Sequence, residues 1–303
     1  MRIEGDVESE LRELSELAPL HQPKSLAALD AVSDLLPGVP AFACFDTSFH
    51  ATLPPAASTY ALPAQWRERW NLRRYGFHGL SHSWVARRAP ELLGREAEGL
   101  LIVSAHLGAG ASLCAIKDGR SVDTTMGFTP LEGLVMATRA GSVDPGLLLW
   151  LQEHEGLIAG ELAEALEHRS GLLGLSGTAD MREIVERVDV GDGSTKIGHA
   201  AHLALGVYVH RLRAGIAAMT ASLGGLDVLV FTGGVGEGSA MVRVLTADGL
   251  AFLGVALDPE RNVSMEAVAD TDISAADSSA ATLVIAARED LEIARQVRTL
   301  LSR

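Results

Sequence analysis

Residues 106–119 read HLGAGASLCAIKDG, a histidine and three glycines set between two apolar, β-prone runs. Residues 100–104 (LLIVS) predict a buried strand before the segment, and residues 111–116 predict a second strand within it. Lys117, Asp118 and Gly119 predict a turn that starts a third strand toward Thr125. A strand, a glycine-rich bend and a returning strand commit this part of the chain to a sheet. They also let backbone N–H groups approach an anion closely, because glycine has no Cβ. A plain hairpin turn uses glycine in the same way, so the segment alone leaves both uses open.

The rest of the chain supplies strands alternating with helices, which implies an α/β sheet. Helices are expected over residues 8–17, 25–36, 79–89 (from a Ser81 cap), 145–155, 158–168 and 179–188. Apolar residues at three- and four-residue spacing, among them Leu203, Val207, Leu212, Ile216 and Met219, predict a long helix over 196–223. Residues 40–46 read as a buried strand ending in Asp46, residues 227–232 as a fully apolar strand, and residues 282–287 as another. A glycine loop (233–236) and a helix from about Ser239 follow the apolar strand, and a last helix covers 288–301. Residues 267–279 are polar and suit a surface excursion.

With 303 residues, 48% apolar and 21% charged, the composition is that of an ordinary globular chain that can bury a large core. No apolar run is long enough to span a membrane, and the charged start is no signal peptide, so a cytoplasmic protein without a membrane partner is expected. Cys44 and Cys114 lie in apolar runs and suit buried free thiols. A formal charge of −14 argues against a nucleic-acid partner. An acidic chain can still bind a nucleotide where glycine N–H groups, a few cationic side chains and a metal ion are concentrated.

Several apolar strands deliver polar tips. Asp46, ending one of them in FDTSFH, is placed to hold Mg²⁺ or act as a base, and equally to cap a turn. In YGFHGLSH, His78 and His82 are four apart, which suits one helical face or a metal, but no third ligand follows. His78 stands two residues after Gly76 and directly before Gly79, which favours an exposed bend over the core. Arg139, in a long turn-rich segment, offers a guanidinium fork for phosphoryl oxygens or a carboxylate, or a surface salt bridge. FTGGVGEG (231–238) is a strand running into a glycine loop. It is not a G-x-x-x-x-G-K-[ST] loop, and the chain contains none.

Taken together these segments resemble the acetate kinase family, within the ASKHA (actin, Hsp70 and sugar kinase-like) superfold. FDTSFH resembles the family's FDTAFH, and YGFHGLSH its YGFHGTSH. Residues 106–145 resemble its HLGNGAS…DTSMG.TPLEGL.MGTR.GD.DP pattern, and SGLLGLSG…DMR, FTGGVGEGS and VIAAREDLEIAR follow in the family's order. The resemblance runs from residue 18 to the C-terminus. It implies an α/β, two-domain ASKHA fold with an incomplete N-terminal domain. Residues 1–97 would be the remnant of that domain, 98–287 the nucleotide-binding domain, and 288–303 a helix packing back on the first.

The resemblance also implies roles. Asp46 matches the catalytic acid, and His78 and Arg139 match the groups that stabilise the phosphoryl group in flight. His106, Leu107, Gly108, Ala109 and Gly110 match nucleotide-binding positions, as do Asp180, Met181 and Arg182. So do Gly234, Val235, Gly236, Glu237 and Gly238. Glu289 matches the glutamate for Mg²⁺ (or Mn²⁺), and His21 a residue bordering the substrate pocket. Acetate, acetyl phosphate, ATP and ADP are the expected ligands, and a homodimer the expected assembly. Ala109 and Gly238 replace family asparagines, removing hydrogen bonds worth about 0.5–1.5 kcal/mol each. The family's N-x-G-S-S-S and H-R-V-V-H-G-G segments are absent, so a misassigned start is expected, with the chain as written truncated, weakly active or inactive, and with apolar surface exposed at its edge. A propionate or butyrate kinase, or a non-catalytic binding protein, are the alternatives.

Overall fold

Residues 101–107 and 228–232 are apolar at nearly every position, so strands built from them must be covered on both faces. The computed structural model describes residues 1–13, 22–36, 38–190, 195–264 and 270–302. Six strands form one mixed sheet: β1 (Leu101–Leu107), β2 (Ala111–Lys117), β3 (Arg120–Thr124), β4 (Val228–Thr232), β5 (Thr271–Asp272) and β6 (Ala281–Val284). Their spatial order is β3-β2-β1-β4-β6-β5. The first three make an antiparallel meander, and β4 joins β1 in parallel with β6 parallel beyond it.

Because side chains alternate along a strand, the sheet has two cores. Val103, Ala105, Leu113, Leu229 and Phe231 pack with Leu205, Leu212 and Ile216 of helix Lys196–Leu223. Ile102, Cys114, Ile116, Val228 and Val230 pack on the opposite face with Val85, Ala86 and Ala89 of helix Gly79–Leu93. Even-numbered residues of β1 and β2 therefore face helix Gly79–Leu93, and this direction later brings serines to histidines. In register, His106 of β1 lies between Ser112 of β2 and Thr232 of β4. The carboxyl ends of β1 and β4, each followed by glycine, thus lie side by side.

Most expected elements are present, with informative differences. Helix Gly79–Leu93 starts at the expected residue but runs four residues past the expected end, and His78 rather than Ser81 stands at its N-cap. The glycine loop after β4 is a short helix, Gly233–Gly238, followed by helix Ala240–Asp248. Residues 40–46 form no strand. Phe42 makes an isolated bridge to Arg2, because among the described residues just 1–3 run alongside, and none of residues 40–46 is buried. The polar stretch after residue 269 adds β5 as an edge strand on β6. Leu203 is 51% exposed, since the buried stripe of its helix runs through Ala201, Leu205, Tyr208 and Leu212. The first two helices are Gly5–Glu13 and Gln22–Leu35, and the expected helix residues beyond Glu13 lie outside the described residues. Both cysteines are free, Cys114 buried and Cys44 half-buried.

Helix Glu289–Leu301 packs on helix Gly79–Leu93 through one buried carboxylate. Glu292 accepts hydrogen bonds from Ser83 Oγ (3.0 Å), Arg295 Nη2 (2.6 Å), Gln296 Nε2 (3.0 Å) and Arg87 Nη2. Burial alone would raise its pKa, but these donors outweigh it and hold the carboxyl at about 2.

Candidate active site

Asp46 and His78 meet because the chain folds a tight bend onto the end of residues 40–46. Asp46 Oδ2 accepts from His78 N (2.6 Å), Oδ1 from Leu80 N (3.2 Å), and its carbonyl from Gly79 N (2.8 Å). Asp46 thereby caps helix Gly79–Leu93. A Cβ at Gly79 would overlap the Asp46 carbonyl, which explains a glycine directly after His78. His78 itself is left-handed, with φ 55°, a conformation costing a β-substituted residue about 1–2 kcal/mol.

This bend sends the His78 ring across the carboxyl ends of the strands. It stacks on His106 with centroids 4.3 Å apart, and its Nδ1 lies 2.8 Å from Ser112 Oγ. Its Nε2 and Arg139 Nη2 converge on one point. A Cβ built on Gly110 would lie 2.8 Å from Arg139 Nη2 and 3.0 Å from His78 Nε2. Arg139 is held there by Nη1 donating to Pro130 O (2.6 Å), and its loop is tied to the first glycine segment by Ala137 N to Ala109 O (3.1 Å). The segment 125–132 is fixed in turn by Glu132, which accepts from Tyr60 OH (2.6 Å) and Arg74 Nη2 (2.8 Å).

The two glycine segments approach each other. Gly233 has φ +80° and lies against the Leu107 backbone, where a Cβ would meet the carbonyl oxygen at 2.8 Å. Gly234 N lies 4.0 Å from the Cβ position of Gly108. The hydroxyl of Thr232, buried at the end of β4, has no hydrogen-bond partner among the described residues. Glu237 turns inward: its Oε1 accepts from Gly233 N (2.7 Å) and from Ala287 N (2.9 Å), joining the turn after β4 to the chain after β6. Arg243, 2% exposed, closes the short helix by donating to the carbonyls of Gly236 (2.9 Å) and Glu237 (2.7 Å).

Burial governs the titration of the site. It pushes the His106 pKa down to about 4, against the pull of the Asp46 carboxylate. The fully buried His82 lies well below the ordinary imidazole range, by burial first and then by its histidine neighbours. Glu289 opens the last helix, and its carboxyl is raised by burial and then by the Asp46 charge. A carboxyl group whose ionisation is opposed by burial and by a neighbouring carboxylate suits a divalent cation. No group of three or more histidine, cysteine or carboxylate ligands occurs among the described residues. Mg²⁺ commonly takes only one or two carboxylates, with water and phosphate completing its shell, so Asp46 and Glu289 fit that ion.

Asp46, His78, His106, Gly108, Ala109, Gly110, Arg139 and Gly234 are thus assembled in one region. Leu107 and Met181 are core residues, Val235 packs against the core, and Gly238 ends the short helix. Asp180 and Arg182 pair with each other at the surface (3.0 Å). His21 lies outside the described residues. Ser104, Ser112, Arg243 and Glu292 also support this region, and the sequence motifs assign none of them a role. The available signal was polarity where strand or helix period calls for core, as at Ser104 and Ser112.

An open end of strands with glycine backbone, a guanidinium and imidazoles can hold phosphoryl oxygens, and the carboxylate pair can hold their counterion. Residues 2–295 match the family described as the Acetokinase family. The chain is 49% identical over 296 residues to an acetate kinase of Dictyoglomus turgidum, covering 97% of this chain and 71% of that one. A crystal structure of Porphyromonas gingivalis acetate kinase superposes with TM-score 0.91 at 40% identity, covering 99% of this chain and 74% of that one. A propionate kinase structure from Francisella tularensis gives TM-score 0.90 at 37% identity, covering 97% and 73%. The mixed α/β architecture is the ASKHA fold of such kinases, and the chain belongs to the acetokinase family.

Proposed function

We propose that this chain transfers the γ-phosphoryl group of ATP to acetate, reversibly, giving ADP and acetyl phosphate. The observation that carries the reading is the convergence of His78 Nε2 and Arg139 Nη2 over Gly110. Phosphoryl transfer needs little covalent help from protein and much positioning and charge neutralisation. In this reading His78 and Arg139 hold the oxygens of the transferring group. Asp46 fixes His78 through its backbone N–H and, with Glu289, binds Mg²⁺, which would neutralise phosphate charge. The glycine backbone of residues 108–110 and 233–236 receives the nucleotide, with Asp180 and Arg182 at its margin. The reading divides the chain after residues 97 and 287.

The test is acetyl hydroxamate formation by the purified chain with ATP, Mg²⁺ and acetate. Arg139→Ala and His78→Ala are each expected to lower kcat by about 10²- to 10³-fold, the scale of losing one donor to a developing oxyanion. A chain that makes acetyl phosphate with both groups removed at an unchanged rate contradicts the assignment. Propionate is the second reading, supported by the likeness to the Francisella propionate kinase. The ratio of kcat/KM for the two acids decides between them.

A cytoplasmic homodimer belongs to the same proposal. It is supported by helix Pro145–His154, where residues 147–151 are Leu-Leu-Leu-Trp-Leu and none is buried. No helix among the described residues is long and apolar enough to cross a membrane.

A further inference from the structure

A buried row of serines and histidines runs behind His78. Ser112 Oγ lies 2.8 Å from His78 Nδ1 and 2.9 Å from His82 Nε2. On the far side of the same ring, His82 Nδ1 lies 2.9 Å from Ser104 Oγ. Ser104, His82 and Ser112 are all 0% exposed, so no solvent completes their hydrogen bonds.

The directions of these bonds follow from counting protons. A serine hydroxyl has one proton and donates once, and a neutral imidazole has one N–H and one acceptor nitrogen. Ser112 therefore donates to one histidine and accepts from the other, so the two tautomers are coupled. If His78 carried its proton on Nδ1, Ser112 would accept from it and donate to His82 Nε2. His82 would then hold its proton on Nδ1 and donate to Ser104. The Ser104 hydroxyl proton would be left buried with no acceptor, because its Oγ has no other partner among the described residues. That orphan would carry the full desolvation penalty of a buried donor with nothing to offset it. In the opposite direction every proton is used: Ser104 donates to His82 Nδ1, His82 Nε2–H to Ser112, and Ser112 to His78 Nδ1. Burial keeps His82 neutral, which preserves the one-donor, one-acceptor count.

We propose that Ser104, His82 and Ser112 form a one-way hydrogen-bond relay that locks His78 in the Nε2–H tautomer. They are positioning residues. They turn a donor, rather than a lone pair, toward the point that His78 shares with Arg139. A lone pair there would repel phosphoryl oxygens. The relay itself rests on this geometry and on the burial of His82, and only its kinetic consequence rests on the phosphoryl-transfer reading above.

The experiment is long-range ¹H–¹⁵N correlation on the full chain with ¹⁵N-labelled histidine, His78 being assigned by loss of its signals in His78→Gln. The expected result is a pyrrole-type Nε2 and a pyridine-type Nδ1 for both His78 and His82. Ser104→Ala removes the terminal donor, and a mixed tautomer at His78 is expected. Ser112→Ala uncouples the rings, and Ser112→Thr, which keeps the hydroxyl, restores the wild-type pattern. An Nδ1–H tautomer at His78 in the unaltered chain overturns the proposal, and that spectrum needs no variant to fold. So does a His78 pattern indifferent to both alanine substitutions. In turnover, Ser112→Ala is expected to lower kcat about 10- to 100-fold with nucleotide KM unchanged, the scale seen for residues that orient an imidazole. If the tautomers are as stated but His78→Ala keeps full activity, the relay stands and the phosphoryl-transfer role of His78 fails.

Discussion

Replacing Glu292 by glutamine should unlatch the last helix, and the size of the effect can be worked out. The carboxyl pKa near 2, against an ordinary value of 4.5, amounts to 2.5 units of preference for the charged form in the folded state. At about 1.4 kcal/mol per unit this is roughly 3.5 kcal/mol. Its partners Arg87 and Arg295 are 35% and 46% exposed, so solvent screening brings the figure nearer 2 kcal/mol. Because the pKa is depressed, the contribution is complete above pH 4.5 and is lost as pH falls toward 2. Denaturant unfolding of wild type and Glu292→Gln should therefore differ by about 2–3 kcal/mol at pH 7, and by less than half that at about pH 3. Glu289 stands at the head of the same helix, so the variant should also bind Mg²⁺ with ADP more weakly. A difference below about 0.5 kcal/mol at pH 7, or one that does not shrink in acid, would refute the reasoning.

Gly110→Ala places a methyl group between Arg139 and His78. Both contacts are the ends of side chains, so stability should change by about 1 kcal/mol or less while kcat falls about 10²-fold. Calorimetric Tm beside turnover checks this, and a parallel loss of both would contradict it. His106, pushed down to about 4, makes the unfolded chain bind the extra proton between pH 6.5 and 4. Stability should then fall with pH across that window, by up to about 3 kcal/mol from this group. Unfolding curves should have a shallower pH slope in His106→Asn. Glu289, raised by burial and Asp46, opposes folding when ionised without a cation. Glu289→Gln should therefore raise Tm in the absence of metal and weaken Mg²⁺ binding, as titration calorimetry with Mg²⁺ and ADP would read.

The sheet was legible because its signals are local. Apolar strands such as residues 228–232 and a 28-residue stripe in helix Lys196–Leu223 announce themselves by period. Residues 40–46 differ from the expected buried strand in both respects, half-buried to exposed with Phe45 37% exposed, because an apolar run secures neither a cover nor a neighbour to pair with. The glycines of residues 233–238 read as a loop, yet form a helix. The Arg243 guanidinium, held to the carbonyls of Gly236 and Glu237, supplies an anchor that local propensity does not contain. The cluster of His78, Arg139 and Asp46 was legible as residue types, and its convergence over Gly110 was not. Pairings such as His82 with Ser104 and Glu292 with Arg87 join segments 22 and 205 residues apart, and single-segment patterns carry no trace of them.

If His78 and Arg139 act on the phosphoryl group while it moves, a planar mimic of that group reads their contribution directly. Binding of ADP alone, and of ADP with Mg²⁺, acetate and aluminium fluoride, should be measured for wild type, His78→Ala and Arg139→Ala. Each substitution should weaken the fluoroaluminate complex by about 100-fold or more and ADP alone by no more than about threefold, because interactions made only in transit favour the transition state. Equal losses for the two ligands, or none for the mimic, would contradict that role.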